Sequence, residues 1–353
     1  MLARIQSSAV FGIEGIPLSV EADNYPGTDK FFIVGLPDAA VKESEQRVHS
    51  AIRNSGFRAP RGTRVVNLAP ADLRKEGSAL DLPISLGLLG ASEQMTGQRL
   101  TEYAVVGELA LNGSVRPVAG ALPMAIATRD QGLRGIVVPR ENAVEAGVVP
   151  GVEVIPVETL EQAAAFMAGD QDIEPFVTDM DRMFREARSH APDLSDVKGQ
   201  AHVKRALTIA AAGNHNLLMG GPPGTGKTML ASRLPGILPD MTFDEALETT
   251  RVYSVAGALG NGNPLVVQRP FRSPHHTATT VAITGGGTGQ NPLPGEVSMA
   301  HNGVLFLDEL PEFNRGALEV LRQPLEEGLV HIRRAMYSVT FPSRFLLVVA
   351  FNL

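Results

Sequence analysis

The chain contains no cysteine, so neither disulfides nor thiolate metal sites can form, which agrees with a reducing compartment. No apolar run approaches the roughly 20 residues that a membrane-spanning helix needs. The opening Met1-Leu2-Ala3-Arg4-Ile5-Gln6-Ser7 lacks the apolar core of a secretory signal. Eight histidines are present, but none falls in an H-E-x-x-H or comparable ligand spacing. Positive charge is in deficit: 31 Lys and Arg against 38 Asp and Glu give a net charge of −7. That argues against coating nucleic acid by bulk charge, while leaving a local patch or channel open. A soluble, cytoplasmic protein without a membrane partner is expected. At 353 residues and 44% hydrophobic content, the chain has room for about two or three domains with buried cores.

What the sequence does carry is a phosphate cradle. Gly221-Pro222-Pro223-Gly224-Thr225-Gly226-Lys227-Thr228 satisfies G-x-x-x-x-G-K-[ST] and follows Leu217-Leu218-Met219, which reads as a strand. In such a loop the glycines turn consecutive N–H groups toward phosphate oxygens. Lys227 adds a charge for the β- and γ-phosphates, and Thr228 offers a hydroxyl to Mg²⁺ at a helix N-terminus. Met229–Leu234 would form that helix's first turns, a flank that a merely Gly-rich loop would lack.

A second motif lies at Val304-Leu305-Phe306-Leu307-Asp308-Glu309, a Walker B strand. Its apolar run suits a strand buried in a parallel sheet, and its two acids emerge at the carboxyl end, where α/β sheets place ligands. Asp308 would hold Mg²⁺ with Thr228, and Glu309 would polarise the attacking water. Adjacent acids alone could simply cap the next segment, but both motifs in this order favour ATP hydrolysis. No phosphate-acceptor signature supports a kinase instead.

Residues 1 to 168 alternate strand-like and helix-like segments, the pattern of a mixed α/β or α+β domain. Strands are predicted at Leu18–Glu21, Phe31–Val34, Arg64–Leu68, Ala104–Leu109, Gly135–Val138 and Val152–Val157. Helices are predicted at Ala39–Asn54, Leu82–Leu89, Ala121–Arg129 and Leu160–Met167, the last opened by a Thr159/Gln162 capping box. A charged linker over 169–195, with a short helix near Met180–Arg188, leads to a nucleotide-binding core at 196–353. There a Gln200–Ala212 helix precedes the phosphate loop, and Pro239 to His301 is rich in Gly, Pro, Thr and His. Arg315–Leu325 reads as helix, Leu329–Ile332 with Val339–Phe341 as a hairpin, and Phe345–Ala350 as a buried strand. Basic residues gather between Lys42 and Lys75: Arg47, Arg53, Arg58, Arg61, Arg64 and Arg74 join the two lysines against Glu43, Glu45 and Asp72. Such a stretch is either a solvated face or a phosphate-contacting one.

Four further stretches carry a family resemblance: Phe32-Ile33-Val34-Gly35-Leu36-Pro37-Asp38-Ala39-Ala40-Val41-Lys42-Glu43-Ser44, Val66-Asn67-Leu68-Ala69-Pro70-Ala71-Asp72-Leu73, Pro270-Phe271-Arg272-Ser273-Pro274-His275-His276-Thr277, and Pro294-Gly295-Glu296-Val297-Ser298-Met299-Ala300-His301-Asn302-Gly303. With the phosphate loop, they make the chain resemble the ComM/YifB branch of the Mg-chelatase-like AAA+ ATPases over nearly its full length. The resemblance implies an N-terminal domain of the Lon-protease/ribosomal-S5 type joined to an AAA+ P-loop module. It also implies a hexameric ring and, by analogy with ComM-type members, a DNA helicase that promotes branch migration as transforming DNA is integrated.

The same resemblance assigns roles. Gly199 and Gln200 match the segment beside the adenine, and Asn352 falls at the sensor-1 position that orients water near the γ-phosphate. Phe271–Gly289 resembles the helix-2 insertion and Arg333–Val339 the hairpin before sensor 1, both facing the pore in rings of this group. Arg272, His275, His276, Arg333 and Arg334 thereby become candidates for gripping a single or branched DNA strand by its phosphates. The alternative for the two histidines is that they only satisfy local backbone groups.

Lon relatives use a Ser–Lys dyad, but here the nucleophile motif falls on Lys75-Glu76-Gly77-Ser78-Ala79-Leu80-Asp81, with Ala79 at the serine position and Ser78 one residue off. The later motif falls on Ala119-Gly120-Ala121-Leu122, where Leu122 replaces the lysine. A serine without a nearby base is a poor nucleophile, so this domain reads as a docking or DNA-contacting module. The sequence ends at Asn352-Leu353, where the family pattern continues into a helical domain with the sensor-2 arginine and the arginine finger. Weak ATP·Mg²⁺ binding and slow hydrolysis are therefore expected of this polypeptide. Two other functions stay open: a chelatase-type subunit inserting Mg²⁺ into a porphyrin, and a nucleotide-binding scaffold without turnover.

Overall fold

A computed structural model of the protein describes residues 2–71, 73, 75, 77–95, 97, 99–189, 192–259, 265–287, 292–334 and 337–353. The chain divides into two compact units, one within residues 1–178 and the other formed by 179–259 with 265–353. The first unit runs beyond residue 168 because the Phe176 N–H donates to the Val154 carbonyl at 2.8 Å, pinning the extended segment that follows the Leu160–Ala168 helix.

The first unit is built on a seven-stranded sheet in the order Lys30–Val34, Thr63–Ala69, Glu14–Tyr25, Leu2–Phe11, Tyr103–Val105, Gly135–Pro139, Glu153–Val157. The hairpin Leu2–Phe11/Glu14–Tyr25 is antiparallel in full register from Leu2↔Asp23 to Phe11↔Glu14, and the last three strands run parallel. Alternation decides the faces. Ala3, Ile5, Val20, Ala22, Val66 and Leu68 are buried in one core with Val48 and Ile52 of the Ser44–Asn54 helix and with the Asp81–Ala91 helix. All eleven residues of that second helix are buried, which suits an apolar sequence without a polar face.

The second unit holds a four-stranded parallel sheet in the order Leu217–Gly220, Leu346–Phe351, Val304–Leu307, Phe271–Arg272. Val304 to Phe306 and Val348 are 0% exposed, the continuous burial expected of central parallel strands. The Phe271 and Phe306 rings stack 5.9 Å apart, tying the short edge strand to its neighbour. The strand leading to Asn352 therefore lies between the strand leading to the phosphate loop and the strand leading to Asp308. All three deliver their following residues at the same end of the sheet.

Several elements depart from expectation. The first strand, Leu2–Phe11, was not foreseen, because Gln6-Ser7-Ser8 interrupts the apolar pattern. Ser7 and Ser8 are nonetheless buried, with Ser7 Oγ donating to the Val105 carbonyl at 2.8 Å. Ala39–Asn54 is two helices, Ala39–Lys42 and Ser44–Asn54, and Ala104–Leu109 is two short strands. The phosphate-loop helix spans Lys227–Ala231 and gives way to a 3-10 turn at Leu234–Gly236, since Pro235 supplies no N–H to continue it. Within 239–301 lies a full helix, Phe243–Val255, opened by a reciprocal Thr242/Glu245 capping box. Arg315–Leu325 forms two helical pieces, Arg315–Glu319 and Arg322–Glu327.

Candidate nucleotide site

Gly224 and Gly226 take φ of 77° and 84°, the left-handed region in which a β-carbon is strained, so the glycines are what allow this loop to coil. Gly226 caps the Lys227–Ala231 helix, which places Lys227 and Thr228 at its first two positions. Lys227 Nζ donates to the carbonyls of Gly221 (2.7 Å) and Pro222 (3.0 Å) and to Asn352 Oδ1 (3.0 Å). Thr228 Oγ1 donates to Asp308 Oδ2 at 2.7 Å. Residues from three separate stretches thus converge at the carboxyl end of the sheet.

Asp308 and Thr228 offer one carboxylate and one hydroxyl. That donor set fits Mg²⁺, which commonly takes one or two protein oxygens and completes its octahedron with phosphate oxygens and water. Asp308 Oδ1 also accepts the Glu309 N–H at 3.0 Å, so this carboxylate is held at both oxygens. Glu309 sits at φ 55°, a rare conformation for a residue with a side chain. Its Oε2 lies 3.8 Å from His276 Nδ1.

Gly199 and Gln200 lie at the N-terminus of the Ala201–Gly213 helix, both with positive φ. Leu194 and Val197 just before them, and Leu207 and Ala211 after, share a core with Leu230 and Leu234 beside the phosphate loop. Met229, which follows Thr228 on the phosphate-loop helix, is 43% exposed.

The candidate DNA-contacting residues meet different fates. Arg272 is engaged by Glu296 through two hydrogen bonds of 2.7 and 2.8 Å, a bidentate pair that raises the guanidinium pKa further and occupies its fork. His275 Nδ1 lies 2.9 Å from Thr277 Oγ1, and the His275 and His276 rings lie 4.0 Å apart. Arg333 is exposed on the Leu329–Arg334 strand, paired in register with Ser338. The Arg334 side chain and residues 288–289 lie outside the described residues. Sequence reasoning missed Glu296 as the partner of Arg272 and Phe313 as a neighbour of His276; neither separation leaves a local signal.

In the first unit, Ser78 Oγ donates to Glu108 Oε2, and Leu122 is fully buried. The basic stretch is dispersed: Arg47 pairs with Asp81, Arg64 with Asp29, and Lys75 is buried against the Pro70 carbonyl, while Asp72 and Arg74 lie outside the described residues. Among the described residues no helix is long and apolar enough to cross a membrane.

Residues 193–353 match the family described as magnesium chelatase, subunit ChlI, and residues 20–142 match the subunit ChlI of Mg-chelatase family. YifB of Escherichia coli K12 is 47% identical over 352 residues, covering 99% of this chain and 68% of that protein. Competence protein ComM of Haemophilus influenzae is 47% identical over 354 residues, again covering 99% of this chain and 68% of the relative. The chain belongs to the ComM/YifB family. An archaeal Lon protease from Thermococcus kodakarensis is 26% identical over 196 residues, 53% of this chain and 30% of that protein. The fold is accordingly a Lon-protease-like α/β unit followed by a Mg-chelatase-like AAA+ P-loop unit.

Proposed function

We propose that this chain binds ATP·Mg²⁺ and hydrolyses it as the motor of a DNA-directed, ring-forming machine of the ComM type, acting in branch migration during transformation and recombination. The observation that carries the ATPase reading is the convergence of Lys227 with Asn352 and of Thr228 with Asp308. In this reading the phosphate-loop amides and Lys227 bind the β- and γ-phosphates. Thr228 and Asp308 would hold Mg²⁺, which supplies neutralisation of the phosphate charge. Glu309 orients and deprotonates the attacking water, and Asn352 fixes that water opposite the γ-phosphate. Gly199, Gln200 and Met229 flank the nucleotide.

DNA as the partner rests on the competence name of a relative and on the exposed Arg333 of the hairpin, with His275 on the insertion. The test is ATP hydrolysis with and without single-stranded and forked DNA, on this chain and on a version extended by a relative's C-terminal domain, with mass measurement of assembly. DNA-stimulated turnover and a hexamer in the extended version are expected. Hydrolysis indifferent to DNA in both, with porphyrin binding, would instead favour a chelatase-type subunit, and nucleotide binding without turnover a scaffold.

A further inference from the structure

Lys204 lies one turn into the Ala201–Gly213 helix, and its side chain reaches back over the start of that helix. Its Nζ donates to the Val197 carbonyl, while its N–H donates to the Gln200 carbonyl at 2.9 Å, so one residue holds both ends of the 197–200 segment. Val197 is buried in the core that includes Leu230 and Leu234, which gives the clamp a fixed base. The ammonium also acts on the turn before it. The Asp193 carboxyl, which accepts the Ser195 N–H at 2.7 Å, lies below the ordinary carboxylate range because of that bond and, to a smaller extent, because of the Lys204 charge.

Between these anchors the main chain turns through two consecutive left-handed residues, Gly199 at φ 71° and Gln200 at φ 53°. For Gln200 that conformation persists only where its surroundings impose it. A β-carbon at Gly199 would meet no atom within 4 Å, so the glycine serves the turn and leaves open space beside it. Lys198 and Gly199 are exposed, and among the described residues their N–H groups make no hydrogen bond within the chain. Donors fixed beside open space suit the acceptor edge of a planar ring. Adenine offers an acceptor at N1 where guanine carries N1–H, so amide donors here would pair with one purine and oppose the other.

We propose that Lys204 is a positioning residue for base selection: by holding the Val197 carbonyl it sets the Lys198 and Gly199 amides against the adenine edge of ATP and disfavours GTP. This rests on the reading that Gly199 and Gln200 flank the base. Lys227, Thr228 and Asp308 are held by contacts that do not include Lys204, so the clamp adjusts base affinity and leaves phosphate binding alone.

The experiment is calorimetric binding of ATP, GTP and inorganic tripolyphosphate, each with Mg²⁺, to the full chain as wild type, Lys204→Met, Lys204→Arg and Gly199→Val. Wild type is expected to bind ATP more tightly than either competitor. Lys204→Met keeps the aliphatic stem and is expected to weaken ATP about tenfold, the scale of one charge-assisted hydrogen bond. Its affinities for GTP and tripolyphosphate stay within twofold of wild type. Lys204→Arg, which still presents a cation to the carbonyl, recovers most of the ATP preference. An intact preference in Lys204→Met, an equal loss for all three ligands, or Met and Arg variants that behave alike overturns the proposal. Gly199→Val, which fills the open space, separates the proposal from the reading beneath it. Loss of base preference there but not in Lys204→Met leaves the base in place and removes the clamp. No base preference in wild type, or an undiminished one in Gly199→Val, puts the base elsewhere and overturns both.

Discussion

Lys227 Nζ and Asn352 Oδ1 lie 3.0 Å apart although 125 residues separate them, because the strand that ends at Asn352 is hydrogen-bonded directly beside the strand that ends at the phosphate loop. The pairing Met219↔Ala350 sets both loops at one level. Asn352→Ala would leave Lys227 its two carbonyl partners and, on the proposed reading, preserve nucleotide binding while removing the amide assigned to orient water at the γ-phosphate. A fall in kcat of about 10²-fold with KM for ATP within twofold is expected, the scale of losing one preorganised polar group. Parallel losses in kcat and binding would show that Asn352 only props the lysine.

Thr228 and Asp308 form the other cross-sheet link, and on the proposed reading it serves the cation rather than the phosphates. Asp308→Asn keeps the shape and one acceptor for the Thr228 hydroxyl but removes the charge that Mg²⁺ needs. Binding of an ATP analogue in the presence of chelator is expected to match wild type, while the strengthening by millimolar Mg²⁺ is lost. An undiminished Mg²⁺ effect in Asp308→Asn would relocate the cation.

Much of this site was legible because phosphate loops and buried parallel strands impose local patterns: Gly224 and Gly226 for positive φ, and Val304 to Leu307 for burial on both faces. What escaped was set by distant partners. Ser7 and Ser8 look like a break in a strand, yet a carbonyl 98 residues away satisfies Ser7. Phe271–Arg272 is a two-residue strand defined only by its pairing with Val304 and Leu305, and neither length nor periodicity marks it. Arg272 reads as a free cation until Glu296, 24 residues on, is seen to occupy it.

Arg47 and Asp81 test the first unit. Asp81 is buried, accepts from Arg47 at 2.7 and 3.0 Å, and receives the Leu109 N–H. Burial raises the Asp81 pKa above its ordinary range, with Arg47 pulling the other way. Arg47→Met strands the carboxylate and is expected to destabilise the unit by about 3 kcal/mol at neutral pH. A carboxyl whose folded pKa is raised costs stability as pH rises through that value and nothing below the unfolded one. The deficit in Arg47→Met should therefore shrink on acidification toward pH 4, and Arg47→Met/Asp81→Asn should recover part of it at pH 7. Chemical denaturation of each variant from pH 4 to 8 reads this out, and a deficit independent of pH would mean that lost packing, not the buried charge, is responsible.

Glu248 and His301 make the opposite case in the second unit. His301 is fully buried; its Nδ1 accepts the Arg344 N–H at 3.0 Å, and its Nε2 lies 3.0 Å from Glu248 Oε2. The His301 contact draws the Glu248 pKa below its ordinary 4.5 despite the cost of burial. A carboxylate whose folded pKa is depressed contributes stability that is present above 4.5 and disappears as pH falls through the lower folded value. Because Glu248 lies on the Phe243–Val255 helix and Arg344 precedes the strand to Asn352, this contact fastens the helix to the base of that strand. Amide exchange in that helix is expected to be faster in Glu248→Gln than in wild type at pH 7, and the two rates, corrected for intrinsic exchange, should converge below pH 4.5. A gap that persists unchanged into acid would assign the effect to the shape of the side chain rather than its charge.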